Sequence, residues 1–270
     1  MSSHGQFLWY ELMTTDMEAA TGFYADVIGW GTQDAAPGTP YTLFTAEGVP
    51  VSGLSALPAE AIEVGFRPAW LGYIGVDDVE ASAARIVQLG GAIHVPPKEI
   101  QNISRFAVGV DPQMATIAVL KWLKPEGRPL PTINAPGRVG WHELFAADWQ
   151  KAWQFYRELF GWREADTDIG AAGTYQLFAA RGVTVGGIFS KPDTVPVPFW
   201  LYYFNVSDLD LAAKRVKAAG GQILAGPIEV PGSRWFLQCT DPQGAMFALV
   251  GTRRHGGIGY FERIPRPNKR

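Results

Sequence analysis

The feature that most limits what this chain can fold into is that it repeats itself. Trp9-Tyr10-Glu11-Leu12 returns as Trp141-His142-Glu143-Leu144. Asp16, Phe23-Tyr24 and Gly29-Trp30 return as Asp148, Phe155-Tyr156 and Gly161-Trp162. Each pair is 132 residues apart (10 to 142, 16 to 148, 24 to 156, 30 to 162). A fixed offset of that size means two copies of one domain.

The copies read alike from end to end. Residues 7–15 form a predicted strand, and Asp16 is placed to cap a helix whose Ala19, Ala20, Phe23, Tyr24, Val27 and Ile28 share one face. Gly29 stops it. Strands follow at Tyr41–Phe44 and Val49–Leu54. The pattern then restarts: a strand at Trp70–Val76, a cap at Asp78, a helix ended by Gly90-Gly91, and strands near Ala92–Val95, Phe106–Val110 and Thr116–Leu120. The second copy repeats both units, with caps at Asp148 and Asp208 and a helix stop at Gly220-Gly221. Its turn Asp241-Pro242-Gln243 matches Asp111-Pro112-Gln113. These units predict an α+β chain of two domains, 1–122 and 139–251. A proline-rich linker joins them at 123–138, and a basic tail follows at 252–270.

The 270 residues suffice for two domains each burying its own core. A net charge of −3 argues against nucleic acid or an anionic membrane surface as partner. The single cysteine, Cys239, excludes an internal disulfide and reads as a core thiol in a reducing compartment. No apolar run reaches membrane-spanning length, and residues 1–5 lack the pattern of a signal peptide. A cytoplasmic location is the expectation. Tyr260 and Phe261 could pin the tail across a domain surface.

The D-x₆-F-Y-x₄-G-W pattern at Asp16–Trp30 and Asp148–Trp162, doubled within a chain of paired strand–helix–strand units, resembles the vicinal oxygen chelate superfamily of glyoxalases, bleomycin-resistance proteins and extradiol dioxygenases. The resemblance implies βαβββ units, two per domain. They form a curved, mostly antiparallel sheet around a cup, with helices outside. In the enzymes of that family the cup holds a divalent metal. Counted from the capping Asp and the Asp-Pro turn, the implied metal-ligand positions hold Trp9, Leu71 and Ala118 in one domain and Trp141, Leu201 and Ala248 in the other. None of these side chains donates a lone pair to a divalent ion. No cofactor is therefore expected. If a metal binds nonetheless, His142 is the fallback ligand, although strand alternation turns it toward the helices and away from the cup.

The same alternation assigns Trp9, Glu11, Met13 and Tyr73 to the first cup, and Trp141, Glu143, Phe145, Tyr203, Asn205 and Met246 to the second. Such linings suit a small aromatic or hydrophobic ligand. Glu143, Tyr203 and Glu11 are the candidates for acid–base chemistry, with hydrogen bonding within the sheet or to an arginine such as Arg105 or Arg234 as the ordinary structural alternative for the carboxylates. Because Asn205 adds a polar group where domain 1 has Gly75, the second cup is expected to be the specific ligand site. The leading expectation is a metal-free binding protein. The alternative is a metal-dependent lyase, dioxygenase or hydroxylase-like enzyme of the same superfamily.

Overall fold

The computed structural model describes residues 2–35, 40–63, 65–124, 133–170 and 173–253, the side chains of 166–170 and 173 excepted. The first half runs β1 (Phe7–Thr14), α1 (Met17–Ile28), β2 (Gly31–Asp34), β3 (Tyr41–Ala46), β4 (Val49–Ala56), α2 (Ala59–Glu63), β5 (Ala69–Gly75), α3 (Val79–Gln88), β6 (Ala92–Ile100), β7 (Ser104–Val110) and β8 (Thr116–Trp122). The second runs β9 (Val139–Ala146), α4 (Trp149–Phe160), β10 (Arg163–Gly170), β11 (Gly173–Ala180), β12 (Val183–Ser190), β13 (Phe199–Val206), α5 (Leu209–Ala218), β14 (Gln222–Val230), β15 (Arg234–Thr240) and β16 (Met246–Gly251).

Among the described residues these strands make two eight-stranded sheets, ordered β2-β3-β4-β1-β5-β8-β7-β6 and β10-β11-β12-β9-β13-β16-β15-β14. β1 and β5 pair antiparallel at the centre of the first sheet, each with a parallel neighbour, β4 and β8. β9 and β13 repeat this in the second. The four predicted caps are formed: each Asp carboxylate accepts from backbone N–H groups of its helix's first turn. Gly29 and Gly161 adopt the left-handed conformation that ends α1 and α4.

The halves do not bury separate cores. One hydrophobic cluster takes in the helix-side faces of both sheets and the helices, including Leu12, Phe23, Tyr24 and Trp70 from one half and Leu144, Tyr156, Phe204 and Phe247 from the other. The repeated motifs are what join them. Tyr24 on α1 donates to Asp241 of the opposite half at 3.1 Å, and Tyr156 on α4 donates to Asp111 at 2.9 Å. Trp70 and Trp200 in turn donate to those two tyrosine oxygens. The indoles of the Gly-Trp pairs also cross: Trp30 donates to the Gly137 carbonyl and Trp162 to the Gly5 carbonyl, both at 2.7 Å. Asp111 and Asp241 each fold their own turn by accepting from two backbone N–H groups. The carboxylate that shapes one half's turn thus receives the other half's tyrosine. Separate cores, the expectation from chain length, give way to a shared one because the aromatic residues of the FY helices reach the other half, as Phe23 and Tyr24 meet Phe247.

His142 lies in this shared core. It is buried and stacks on Phe7 with ring centroids 3.8 Å apart. The Val185 carbonyl can only accept, so Nδ1 donates to it at 2.7 Å; Nε2 then accepts from the Tyr10 hydroxyl at 2.6 Å. Burial pushes its pKa down to about 4, against the pull of the Val185 carbonyl. With both nitrogens engaged on the side away from the cup, His142 is a core residue. Cys239 is also buried there, its thiol pushed up to about 12 by burial. Arg253, at the start of the tail, pairs with Asp210 and lies over Trp235. Tyr260 and Phe261 lie outside the described residues, as does linker segment 125–132.

Candidate functional site

The opposite faces of the two sheets form the cups. Trp9, Leu71, Tyr73 and Ala118 cluster with Met13, Phe106 and Trp122 in the first. Trp141, Phe145, Leu201, Tyr203, Ala248 and Met246 cluster in the second. The strand register inferred from alternation therefore places Trp9, Glu11, Met13 and Tyr73 together, and likewise their counterparts.

At the floor of each cup a carboxylate is held by phenols. Glu11 accepts from Ser55 at 2.6 Å, from Tyr73 at 3.0 Å and from Tyr41 at 3.3 Å. The Trp9 indole donates to the Tyr41 oxygen at 3.1 Å. Glu143 accepts from Tyr175 at 2.7 Å and from Tyr203, while Trp141 donates to Tyr175 at 2.9 Å. Burial raises the Glu143 pKa, the two phenol hydrogen bonds opposing it. Burial first, and then the neighbouring Glu11, hold the Tyr41 and Tyr73 phenols above their usual range, so they remain O–H donors. The arginines do not meet these carboxylates. Arg105 pairs with Glu80 and Glu99, and Arg234 donates to Asn205.

Tyr41 and Tyr175 reach across a neighbouring strand because that strand carries glycine. Gly53 is the register partner of Glu11 and Gly187 that of Glu143. A Cβ at either position would collide with the tyrosine ring lying over it. Sequence reading missed Tyr41, Tyr175 and Ser55. The glycines Gly53 and Gly187, at matching positions in two strands, were the available signal.

The cups differ in what fills them. A cavity of about 870 Å³ opens in the first, its walls including Trp9, Leu43, Phe106 and Trp122, with Glu11 and Ser55 at the floor. Phe66, His94 and Lys98 stand at its rim. In the second, Phe145 packs against Phe199 at 4.6 Å and Phe189 at 4.5 Å between ring centroids. Phe145 pairs across the sheet with Phe189 and Phe199, as Met13 pairs with Ser55 and Ala69. Three phenylalanines thus occupy the positions that Met13, Ser55 and Ala69 leave open. Asn205 is buried and committed: its amide donates to the carbonyls of Ile133 and Arg138, and its oxygen accepts from Arg234. It holds the linker end in place and has no donor left for a ligand. These two features separate the cups: the first keeps an open cavity, and the second places aromatic rings and a committed amide where polar groups were expected to meet a ligand.

The residues do not fit a divalent metal bound as the superfamily binds it. The three implied positions of each half do converge on the cup, but as indole, isobutyl and methyl groups. Glu11 and Glu143 are the carboxylates at the floors, each surrounded by protonated hydroxyls. Among the described residues no group of three or more His, Cys, Asp or Glu is placed to hold an ion.

Comparison with known proteins agrees with the doubled architecture. The model of the Glyoxalase/Bleomycin resistance protein/Dioxygenase superfamily matches residues 6–119 and again 138–249. A Mycobacterium bovis protein named "Putative glyoxylase CFP32" is 33% identical over 245 residues, covering 90% of this chain and 93% of that one. The "Anthracycline biosynthesis protein DauV" of Streptomyces sp. (strain C5) is 30% identical over 259 residues, covering 91% and 92%. Among solved structures, the 2,3-dioxygenase LapB from Pseudomonas sp. KL28 has a TM-score of 0.63 at 13% identity, covering 97% of this chain and 96% of that one. The Mn(II)-bound glyoxalase from Novosphingobium aromaticivorans has a TM-score of 0.62 at 17% identity, covering 94% and 84%. These structural likenesses concern the fold. Among the described residues no helix is long and apolar enough to cross a membrane.

Proposed function

The chain belongs to the Glyoxalase/Bleomycin resistance protein/Dioxygenase superfamily, and on that premise we propose that it is a binding protein for a planar aromatic small molecule. The ligand is held in the first cup without a metal. The observation that carries this reading is the 870 Å³ cavity walled by Trp9, Phe106 and Trp122. Its size falls within the ~300–1,000 Å³ common for small-molecule sites, and its aromatic walls offer stacking surfaces. A relative named as an anthracycline biosynthesis protein supports a fused-ring ligand. A lyase or dioxygenase that chelates its substrate through a metal needs donors that Trp9, Leu71 and Ala118 do not supply. Glu11 orients the ligand, and the second cup, filled by Phe145, Phe189 and Phe199, serves the scaffold.

The test is a fluorescence titration with a fused-ring probe, 1-hydroxypyrene, on the wild-type chain and on Trp9→Ala, Trp122→Ala and Trp141→Ala. One probe per chain, weakened by the first two substitutions and indifferent to the third, is the expected result. Two equivalent sites, or loss only in Trp141→Ala, would contradict the reading.

A further inference from the structure

The hydrogen-bond polarity of the first cup's floor is one-sided. Four donor groups meet around Glu11, and each hydrogen is already used. The Ser55, Tyr73 and Tyr41 hydroxyls all point at the carboxylate, and the Trp9 N–H points at the Tyr41 oxygen. What these groups still offer to the cavity is lone pairs. A carboxylate has about four acceptor sites, of which Glu11 has filled three, and a hydroxyl oxygen keeps acceptor capacity after donating. Among the described residues no Lys, Arg or His forms an ion pair with Glu11: Arg105 is held by Glu80 and Glu99, and Lys98 is exposed at the rim.

From this we infer that the first cup selects aromatic ligands carrying a hydrogen-bond donor, a phenol or an amine, directed at Glu11, and rejects the same skeleton when it offers only acceptors. The inference rests on the first cup being the aromatic site, and it adds which chemistry that site recognises. A donor on the ligand satisfies the open acceptor position on a charged group. An ether, carbonyl or carboxylate in the same place sets oxygen against oxygen in an apolar surround, where an unmet polar contact is costly. The phenols cannot turn to serve such a ligand without abandoning Glu11. The second cup has the corresponding carboxylate and phenols, but Phe189 stands where Ser55 stands in the first. The first floor lines the cavity, whereas beside the second floor Phe145 packs with Phe189 and Phe199.

The experiment compares 1-hydroxypyrene with 1-methoxypyrene, which differ in that single hydrogen, on the full chain by fluorescence titration. The hydroxyl compound is expected to bind about 10-fold tighter or more, the factor a hydrogen bond to a charged acceptor is worth. In Glu11→Gln the preference should collapse, because an amide brings donors to the floor. A circular-dichroism spectrum and melting curve of Glu11→Gln that match wild type distinguish the loss of selectivity from a loss of folding. Equal affinity for the two compounds, or preference for the ether, overturns the inference while leaving the first cup an aromatic site. Binding of neither overturns both.

Discussion

The clearest energetic consequence of the shared core is a dependence of stability on pH that runs through one buried imidazole. His142 stays neutral in the folded protein until about pH 4, whereas the unfolded chain takes up its proton near 6.5. Between those values the unfolded state binds more protons, so stability falls as the pH falls. Relative to pH 7, this group should remove about 2 kcal/mol by pH 5 and about 3 kcal/mol by pH 4. The other ionisable side chains against it, Tyr10 and Tyr202, are held above their usual range and do not titrate in this window. Asp111, Asp241 and Glu143 have raised pKa values and contribute the opposite slope, but they are common to wild type and variant. Urea unfolding at pH 7, 6, 5 and 4.5 on wild type and His142→Gln isolates the effect. The amide keeps a donor for Val185 and an acceptor for Tyr10, so the variant should fold, begin less stable at pH 7, and lose less on acidification. Parallel pH profiles for the two proteins would refute the assignment of His142 as a buried neutral core residue.

Other expectations follow from the same contacts. Tyr156→Phe removes a hydroxyl from the buried Asp111 carboxylate and should cost about 1.5–3 kcal/mol by denaturant unfolding. The whole chain should still unfold in one transition, since the shared hydrophobic cluster joins the halves without that bond. Phe145→Ala should cost about 3–5 kcal/mol by leaving a cavity in the second cup, and Met13→Ala distinctly less, because Met13 borders open space. Gly53→Ala should displace Tyr41 from Glu11 and weaken 1-hydroxypyrene binding while leaving the fold intact by circular dichroism. Chelator treatment should change neither the melting temperature nor probe binding. Stoichiometric zinc, manganese or iron in the untreated protein would contradict metal-free binding.

Much of the fold was legible because it is written twice. The 132-residue offset, the four Asp caps and the alternation along β1, β5, β9 and β13 placed the elements and the cup faces. β2 was not visible, because Gly31–Asp34 is exposed throughout and so has no apolar period to read. The joining of the halves was hidden for a different reason. A repeat shows that Phe23-Tyr24 and Phe155-Tyr156 are equivalent, but nothing in the spacing says that each reaches across to the other copy's Asp-Pro turn. At the site, Glu11, Tyr73 and Trp9 could be found from strand alternation, whereas Tyr41 and Ser55 required the pairing of β3 with β4 and of β4 with β1. The sequence reading preferred the second cup because it counted polar groups, and the proposal of the first cup weighs volume instead. Asn205 was spent on backbone carbonyls, and the deciding difference was volume: Phe145, Phe189 and Phe199 against Met13, Ser55 and Ala69.

That contrast in volume permits a direct trial of the site. Writing the second cup's filling into the first, as Ser55→Phe with Ala69→Phe, should occupy the cavity with rings that pack as Phe189 and Phe199 do, without disturbing the shared core on the other face of the sheet. Isothermal titration with 1-hydroxypyrene should then give one site per chain for wild type and no measurable binding for the double variant at unchanged melting temperature. Undiminished binding by the filled variant would contradict the assignment of ligand binding to the first cup.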